Sequence, residues 1–509
     1  MKIKTSKKEV FFKNKKKINF ILFYKFYFYL TLIIFSIFLI LLLNTGVWVN
    51  FKKEFLTKAH LNGVVNYKYL HEVVYYKIIN LFEKRDKIYL EINQKNLIKL
   101  ETNRKDILEY IKTEEKLFKH KHEFKEVNAK VRYNGKLYRT DVRLKGDRRI
   151  HFENTETSSY RFDIKNGEVV NESRKFSLQK PRIRNYLHEW VFHELLAEGG
   201  LIKIKYDFFD FYINGKYKGF YAFEESFGKV LIERNLKRNG PIFSIYEEFG
   251  LSKDGKFKFE VYNKKYWLKK ENLSLVQSAT SKLSLFLDGK KKLSEVFDLD
   301  KWAWFFAVTD LGYFSHGNFI KSVKLFYNPV SGKFEPIGFD GHRLLPSVNK
   351  LVADEKKDSS QTNLSKALNY ESNRNKLASI EGIFFVNEDK KINYDFYEIY
   401  IRNIKKITSK NFLDNFFKKR IKKVKSITSG IYSDDYIFDY NSMRKSGIGI
   451  YYFSKKEYYR RAAQLRDLLS PMKTKIFIDN QKNFFKISNN KINNFNFKEF
   501  KIKCSNNRI

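Results

Sequence analysis

From Phe26 to Val49 the chain runs FYFYLTLIIFSIFLILLLNTGVWV, 24 residues without a charge. That exceeds the ~20 residues a helix needs to cross a bilayer, so the pattern predicts one transmembrane helix over 26–49. Residues 1–25 carry nine lysines against Glu9 alone, and the excess of positive charge places this tail in the cytoplasm. The apolar stretch is longer than the ~7 to 15 residues of a signal-peptide core, and no small-x-small cleavage site follows Asn44, which favours an uncleaved anchor. Residues 50–126 then show apolar positions at helical spacing among Lys and Glu, as in YKYLHEVVYYKIINLFEK. This reads as a helical stalk or cap that includes one strand, Ile88 to Ile92.

At Val127 the period changes from helical to alternating. VNAKVRYNGKLYRTDVRLKG places Asn134-Gly135 between two alternating runs, the sequence of a two-residue hairpin turn. Tyr160 to Ile164 and Lys175 to Leu178 continue the strands, and NYLHEWVFHELLAEG, Asn185 to Gly199, predicts a helix with a glycine stop. A second, aromatic hairpin is centred on Asn214-Gly215, and a third, VKLFYNPVSGKFEPIGFDGHRLL, ends its second strand at Asp340. Ser372 to Ile427 returns to helical spacing, and the alternation from Ile476 predicts either a few strands or a poorly ordered tail. The expected organisation is therefore a basic tail (1–25), an anchor (26–49), a stalk (50–126), an α+β core (127–346) and a mainly helical extension with a β tail (347–509).

Composition sharpens this in two ways. Ninety-nine Lys and Arg against 57 Asp and Glu give a net charge of +42. Clustered cations neutralise nucleic-acid phosphates, but here the excess is spread along the chain and no zinc finger or aromatic RNA motif accompanies it, so nucleic acid is not the expected partner. The single cysteine, Cys504, excludes an intramolecular disulfide framework, a thiolate zinc site and an iron-sulfur cluster.

Four segments could carry chemistry. In VRLKGDRRIHF, Arg143, Lys145, Arg148 and Arg149 surround Gly146 at a strand end, which suits phosphate oxygens as well as it suits a solvated basic turn. In KPRIRNYLHEW, Lys180, Arg182 and Arg184 precede a helix N-terminus that can bind an anion, or simply feed an amphipathic helix. Glu224 and Glu225 end the aromatic hairpin. In GFDGH, Asp340 follows a buried strand, where its carboxylate could hold Mg²⁺ or merely make a turn, and Asn318 in SHGN could offer a second metal contact.

Taken in order, RLKGD, KFSLQKPRIRNYLHEW, YINGKYKGFYAFEE, RNGPI and FYNPVSGKFEPIGFDG resemble the CotH-like family of atypical kinases, the spore-coat protein kinase type, and in particular its membrane-anchored bacterial members. The resemblance covers about Val127 to Leu345. It implies a reduced, two-lobed protein-kinase-like α+β core that uses ATP and Mg²⁺ to phosphorylate a protein or envelope-polymer hydroxyl, behind a single-pass anchor in the cytoplasmic membrane with the main domain outside. Asp340 matches the first Asp of the family's W-D-x-D motif and would be the metal ligand, with Asn318 holding a second metal. Arg143 and Lys145 match the basic strand near the phosphates, and Glu224 or Glu225 lies near the lobe junction. Two positions depart from the family pattern: His316 stands about where the catalytic-loop Asp is expected, and His342 replaces the second Asp of W-D-x-D. A neutral His can act as base only with a suitable pKa, so the alternative is a catalytically inactive kinase-like module that binds or assembles envelope components.

Overall fold

The computed structural model describes residues 26–37, 75–76, 78–114, 124–153, 157–246, 258–320, 322–341, 362–369, 380–387, 391–433, 453, 455–469, 475–479 and 484–488. Met1–Leu70 and His71–Ile509 form separate compact units.

In the first unit a helix is described over 26–37 only. Among the described residues no helix is long and apolar enough to cross a membrane. This overturns the expected 26–49 transmembrane helix and the single-pass membrane placement built on it; residues 38–49 of that stretch lie outside the described residues.

The second unit opens with seven strands: β1 (Lys87–Glu91), β2 (Val127–Tyr133), β3 (Lys136–Leu144), β4 (Tyr160–Ile164), β5 (Lys175–Gln179), β6 (Tyr206–Ile213) and β7 (Lys216–Glu225). They close into a barrel in the order β1-β2-β3-β4-β5-β7-β6. Every neighbouring pair is antiparallel except the closing one, where β1 runs parallel to β6 with Lys87 opposite Asp210 and Leu90 opposite Ile213. The two-lobed kinase-like core with a transmembrane helix is therefore not the architecture found. The physical reason lies in β1, which takes β2 on one side and β6 on the other, so the sheet has no free edge.

Local sequence explains most of the strands. Asn134 and Gly135, and again Asn214 and Gly215, sit at positive φ (47° and 77°; 48° and 79°), as two-residue hairpin turns matched to strand twist require. Alternate positions such as Val131, Val142, Phe162, Phe176, Phe211 and Phe223 are buried together and fill the barrel. The helix α1 (Gln94–Glu114) adds Leu100 and Ile107 to that core.

On the outer wall of β6 and β7, Tyr206, Phe208, Phe220 and Ala222 belong to a second, larger core. Its other members include residues of the helices α2 (Leu187–Glu198), α3 (Lys270–Leu287), α4 (Leu299–Gly312), α5 (Asn363–Asn369), α6 (Tyr394–Ile407), α7 (Lys410–Ser433) and α8 (Lys455–Leu469), and strand residues such as Phe243, Leu325 and Phe334. A four-stranded sheet, β11-β10-β8-β9, joins β8 (Ile242–Tyr246), β9 (Lys258–Val261), β10 (Lys324–Asn328) and β11 (Lys333–Ile337). A last hairpin pairs β12 (Lys475–Asp479) with β13 (Phe484–Ser488).

Candidate active site

The outward face of the barrel carries a row of residues lying directly opposite one another on five successive strands. Arg143 on β3 faces Arg161 on β4, Arg161 faces Ser177 on β5, Ser177 faces Glu224 on β7, and Glu224 faces Tyr206 on β6. Opposed residues on one sheet face touch, so the register alone gathers cations and a carboxylate on this wall. Lys145, two residues beyond Arg143, shares its face.

Four charged groups alternate in sign from there. The Lys145 ammonium donates to Glu224 Oε1 at 2.6 Å and to Gln179 Oε1 at 3.3 Å, while Gln179 Nε2 donates to Glu224 Oε2 at 2.8 Å. Arg184 Nε reaches Glu224 Oε2 at 3.3 Å, and its Nη1 donates to Asp340 Oδ1. His316 closes the chain: its Nδ1 lies 3.1 Å from the Asp340 carbonyl oxygen and 3.3 Å from Oδ2. Because a carbonyl only accepts, the proton sits on Nδ1 and Nε2 is the basic nitrogen of the neutral ring.

The electrostatics of this wall are those of a positive potential. Burial would raise the Glu224 carboxyl, but Lys145 and Arg184 outweigh it and hold it down at about 2. Burial pushes the Lys145 ammonium down to about 8, with Arg184 and Arg161 adding to the effect against the pull of Glu224. Burial and Arg161 bring Arg143 down to about 10, and burial also lowers Arg161. His151, packed over Gly146 and hydrogen-bonded to Ser159 Oγ at 2.9 Å, is kept neutral by burial and by Lys145 and Arg184, with its pKa at about 3. Arg184 is the exception: Asp340, Glu224 and Glu189 raise it against the opposing effect of burial.

The backbone around the Arg184–Asp340 pair is strained at both ends. Asp340 has φ 57°, and Asn185 and Tyr186 have φ 55° and 57°. Bulky residues at positive φ are outliers that tertiary contacts must enforce, and they concentrate at functional sites. The glycines on either side of Asp340 pack against α2. A Cβ at Gly341 would stand 2.2 Å from the Phe192 ring, and one at Gly338 would stand 2.3 Å from Leu196.

Of the residues singled out in the sequence, the structure brings Lys145, Glu224, Asp340 and His316 together. Glu225 points the other way, to Arg234 and the Lys205 amide, and is raised by burial. Arg143 lies at the edge, its Nη1 on the Leu144 carbonyl at 3.0 Å and its guanidinium over Phe124. Asn318 directs its amide Nδ2 to Asn363, which in turn bonds Asp310 in the helical core; Asn318 Oδ1 is buried with no partner among the described residues. His342 lies outside the described residues. Lys180 bonds the Lys218 carbonyl and Arg182 bonds Glu153, so of the three cations before α2 only Arg184 enters the site. Gln179 lay within the KFSLQKPRIRNYLHEW segment but was not singled out, and Arg161 carried no motif signal; only their strand positions, on the same face as Glu224, could have pointed to them.

Residues 142–470 match the family described as CotH kinase protein. The chain belongs to the CotH kinase family. The matched span begins on β3 and runs through α8, so it contains every residue of the charged chain. No curated protein matches the chain significantly. Membership in the CotH kinase family carries a kinase-like function at the level of the family.

Proposed function

We propose that this CotH kinase family member transfers a phosphoryl group from ATP, with Mg²⁺, to a hydroxyl of a protein or polymer. The observation that carries the reading is the buried Lys145–Glu224–Arg184–Asp340 chain ending on His316. Phosphoryl transfer asks little covalent chemistry of a protein beyond positioning and charge stabilisation, and this chain supplies two fixed cations, two carboxylates and one imidazole.

Among the described residues no group of three or more His, Cys, Asp or Glu is arranged to hold a metal ion by itself. Mg²⁺, however, is commonly held by one or two carboxylates plus substrate phosphates, and that donor chemistry fits Asp340 when the ion arrives on a polyphosphate, Glu224 being buried with both oxygens bonded to Lys145, Gln179 and Arg184. Bound there, Mg²⁺ would neutralise charge on the transferring group. Arg184 and Lys145 hold the two carboxylates in place and face anionic oxygens. His316, its Nδ1 on the Asp340 carbonyl and carboxylate and its Nε2 buried, positions Asp340.

Calorimetric titration of the full chain with ATP, with and without Mg²⁺, tests the reading alongside transfer of labelled phosphate to added protein. Wild type is expected to bind and transfer; Asp340→Asn is expected to lose transfer by about a hundredfold or more and to lose the Mg²⁺ dependence of binding. Binding that ignores both Mg²⁺ and Asp340, with no transfer, would leave a ligand-binding module instead.

A further inference from the structure

A second buried polar network joins the C-terminal helices to the turn Ser315–Asn318. Asp310, on α4, accepts from the Tyr400 hydroxyl of α6 at 2.6 Å and from the Asn363 backbone amide of α5 at 2.9 Å, and its carbonyl accepts from Arg461 Nε of α8 at 3.0 Å. Asn363 begins α5, where two neighbours cap each other: the Thr362 amide donates to Ser365 Oγ at 2.8 Å and the Ser365 amide to Thr362 Oγ1 at 3.1 Å. The Asn363 side chain is buried and its polarity is forced. One end lies 3.0 Å from the Phe306 carbonyl, which only accepts, and 2.9 Å from Thr309 Oγ1. Nδ2 must stand there, which leaves Oδ1 to face Asn318 and obliges Asn318 to present its own Nδ2.

The turn that Asn318 ends is the one that carries His316, whose Nδ1 lies on the Asp340 carbonyl and carboxylate. On one side this turn is already in close contact, since a Cβ at Gly317 would stand 3.1 Å from the Gly341 Cα and 3.3 Å from the Phe192 ring. On the other, Asn318 reaches Asn363. A buried amide is costly to leave unpaired, so this bond ties the turn to α5, and Asp310 ties α5 to α4, α6 and α8. We propose that Asn363 is a positioning residue: it fixes Asn318, and with it the turn that seats His316 against Asp340, which makes α5 part of the phosphoryl-transfer site. The inference rests on the phosphoryl-transfer reading for what Asp340 does once seated, but not for the seating.

The test uses the full chain and two kinds of readout: backbone hydrogen exchange across the turn, followed by mass spectrometry, and binding and transfer with ATP and Mg²⁺. The amides of Gly317 and Phe319 donate to the Phe314 and His316 carbonyls, so their exchange reports on the turn itself. Asn363→Ala is expected to speed that exchange by about tenfold and to weaken Mg²⁺-dependent ATP binding and transfer by about tenfold to a hundredfold, as loss of a supporting partner behind a ligand does, while ATP binding without Mg²⁺ stays as in wild type. Asn318→Ala cuts the same bond from the other side and leaves Asn363 its remaining partners; it is expected to loosen the turn equally, and the double variant to add nothing further. Tyr400→Phe removes a hydrogen bond from the same network away from the turn. It is expected to lower the melting temperature with exchange in the turn and ATP binding unchanged, which separates positioning from lost stability. The inference is overturned if both asparagine variants leave the turn exchanging at the wild-type rate, or if Tyr400→Phe loosens the turn as much as they do. A wild type that neither binds ATP with Mg²⁺ nor transfers phosphate, with the turn still loosened by both asparagine variants, would sink the proposed function and leave the positioning role standing; transfer in wild type with a turn indifferent to Asn363 would do the reverse.

Discussion

Glu224 is the residue on which the charges of the site converge, and acid titration reports on it directly. Its folded pKa of about 2 lies below the ordinary 4.5, so it contributes stability that is complete above pH 4.5 and lost as the pH falls towards 2. That difference corresponds to roughly 3 kcal/mol. Glu224→Gln is expected to flatten the stability profile across this window, measured by denaturant unfolding at a series of pH values, and to lower stability at pH 7 because Lys145 then stays buried without its counter-charge. Lys145 slopes the alkaline side. Held at about 8 against an ordinary 10.5, it binds its proton less readily folded than unfolded, so stability rises between those two values. At this scale the sequence was partly legible: Lys145, Asp340 and His316 stand in recognisable segments. Choosing Glu224 over Glu225 needed the strand register, since adjacent residues face opposite sides of a sheet. Arg184 was visible only as part of a basic loop before a helix, and Arg161 looked like any solvent-facing member of an alternating strand.

Between elements, the position of Asp340 is decided by helix α2. Three glycines, Gly317, Gly338 and Gly341, let the turn around Asp340 lie against Phe192, since a Cβ at each would come within 3.3 Å of that ring or closer. Phe192→Ala is expected to cost about 3 to 5 kcal/mol by leaving a cavity, seen as a lower denaturation midpoint. It should also weaken Mg²⁺-dependent ATP binding, because the turn that carries Asp340 loses the ring its glycines pack against. The hairpin turns at Asn134-Gly135 and Asn214-Gly215 and the helix α2 follow from local patterning and are where that patterning places them. Barrel closure does not follow from it. The β1–β6 seam joins residues over a hundred positions apart, and no local period encodes a parallel partner that distant.

For the molecule as a whole, an uncharged 24-residue run suggested a membrane span, yet among the described residues no helix is long and apolar enough to cross a membrane. Apolar composition sets what a segment could do, whereas the length of continuous helix sets whether it spans. Likewise the net charge of +42 says little about the site, whose positive potential comes from strand register on one wall. That wall is shared by five strands of a barrel that the β1–β6 seam closes. Parallel, long-range pairing is entropically slow to establish, so the seam belongs to the late side of the folding barrier. A ligand that only the finished barrel binds stabilises the folded chain and not the transition state. ATP with Mg²⁺ is therefore expected to slow unfolding in stopped-flow chevron measurements while leaving the refolding limb unchanged, making the bound ligand a brake on the chain's loss of structure and not an aid to gaining it.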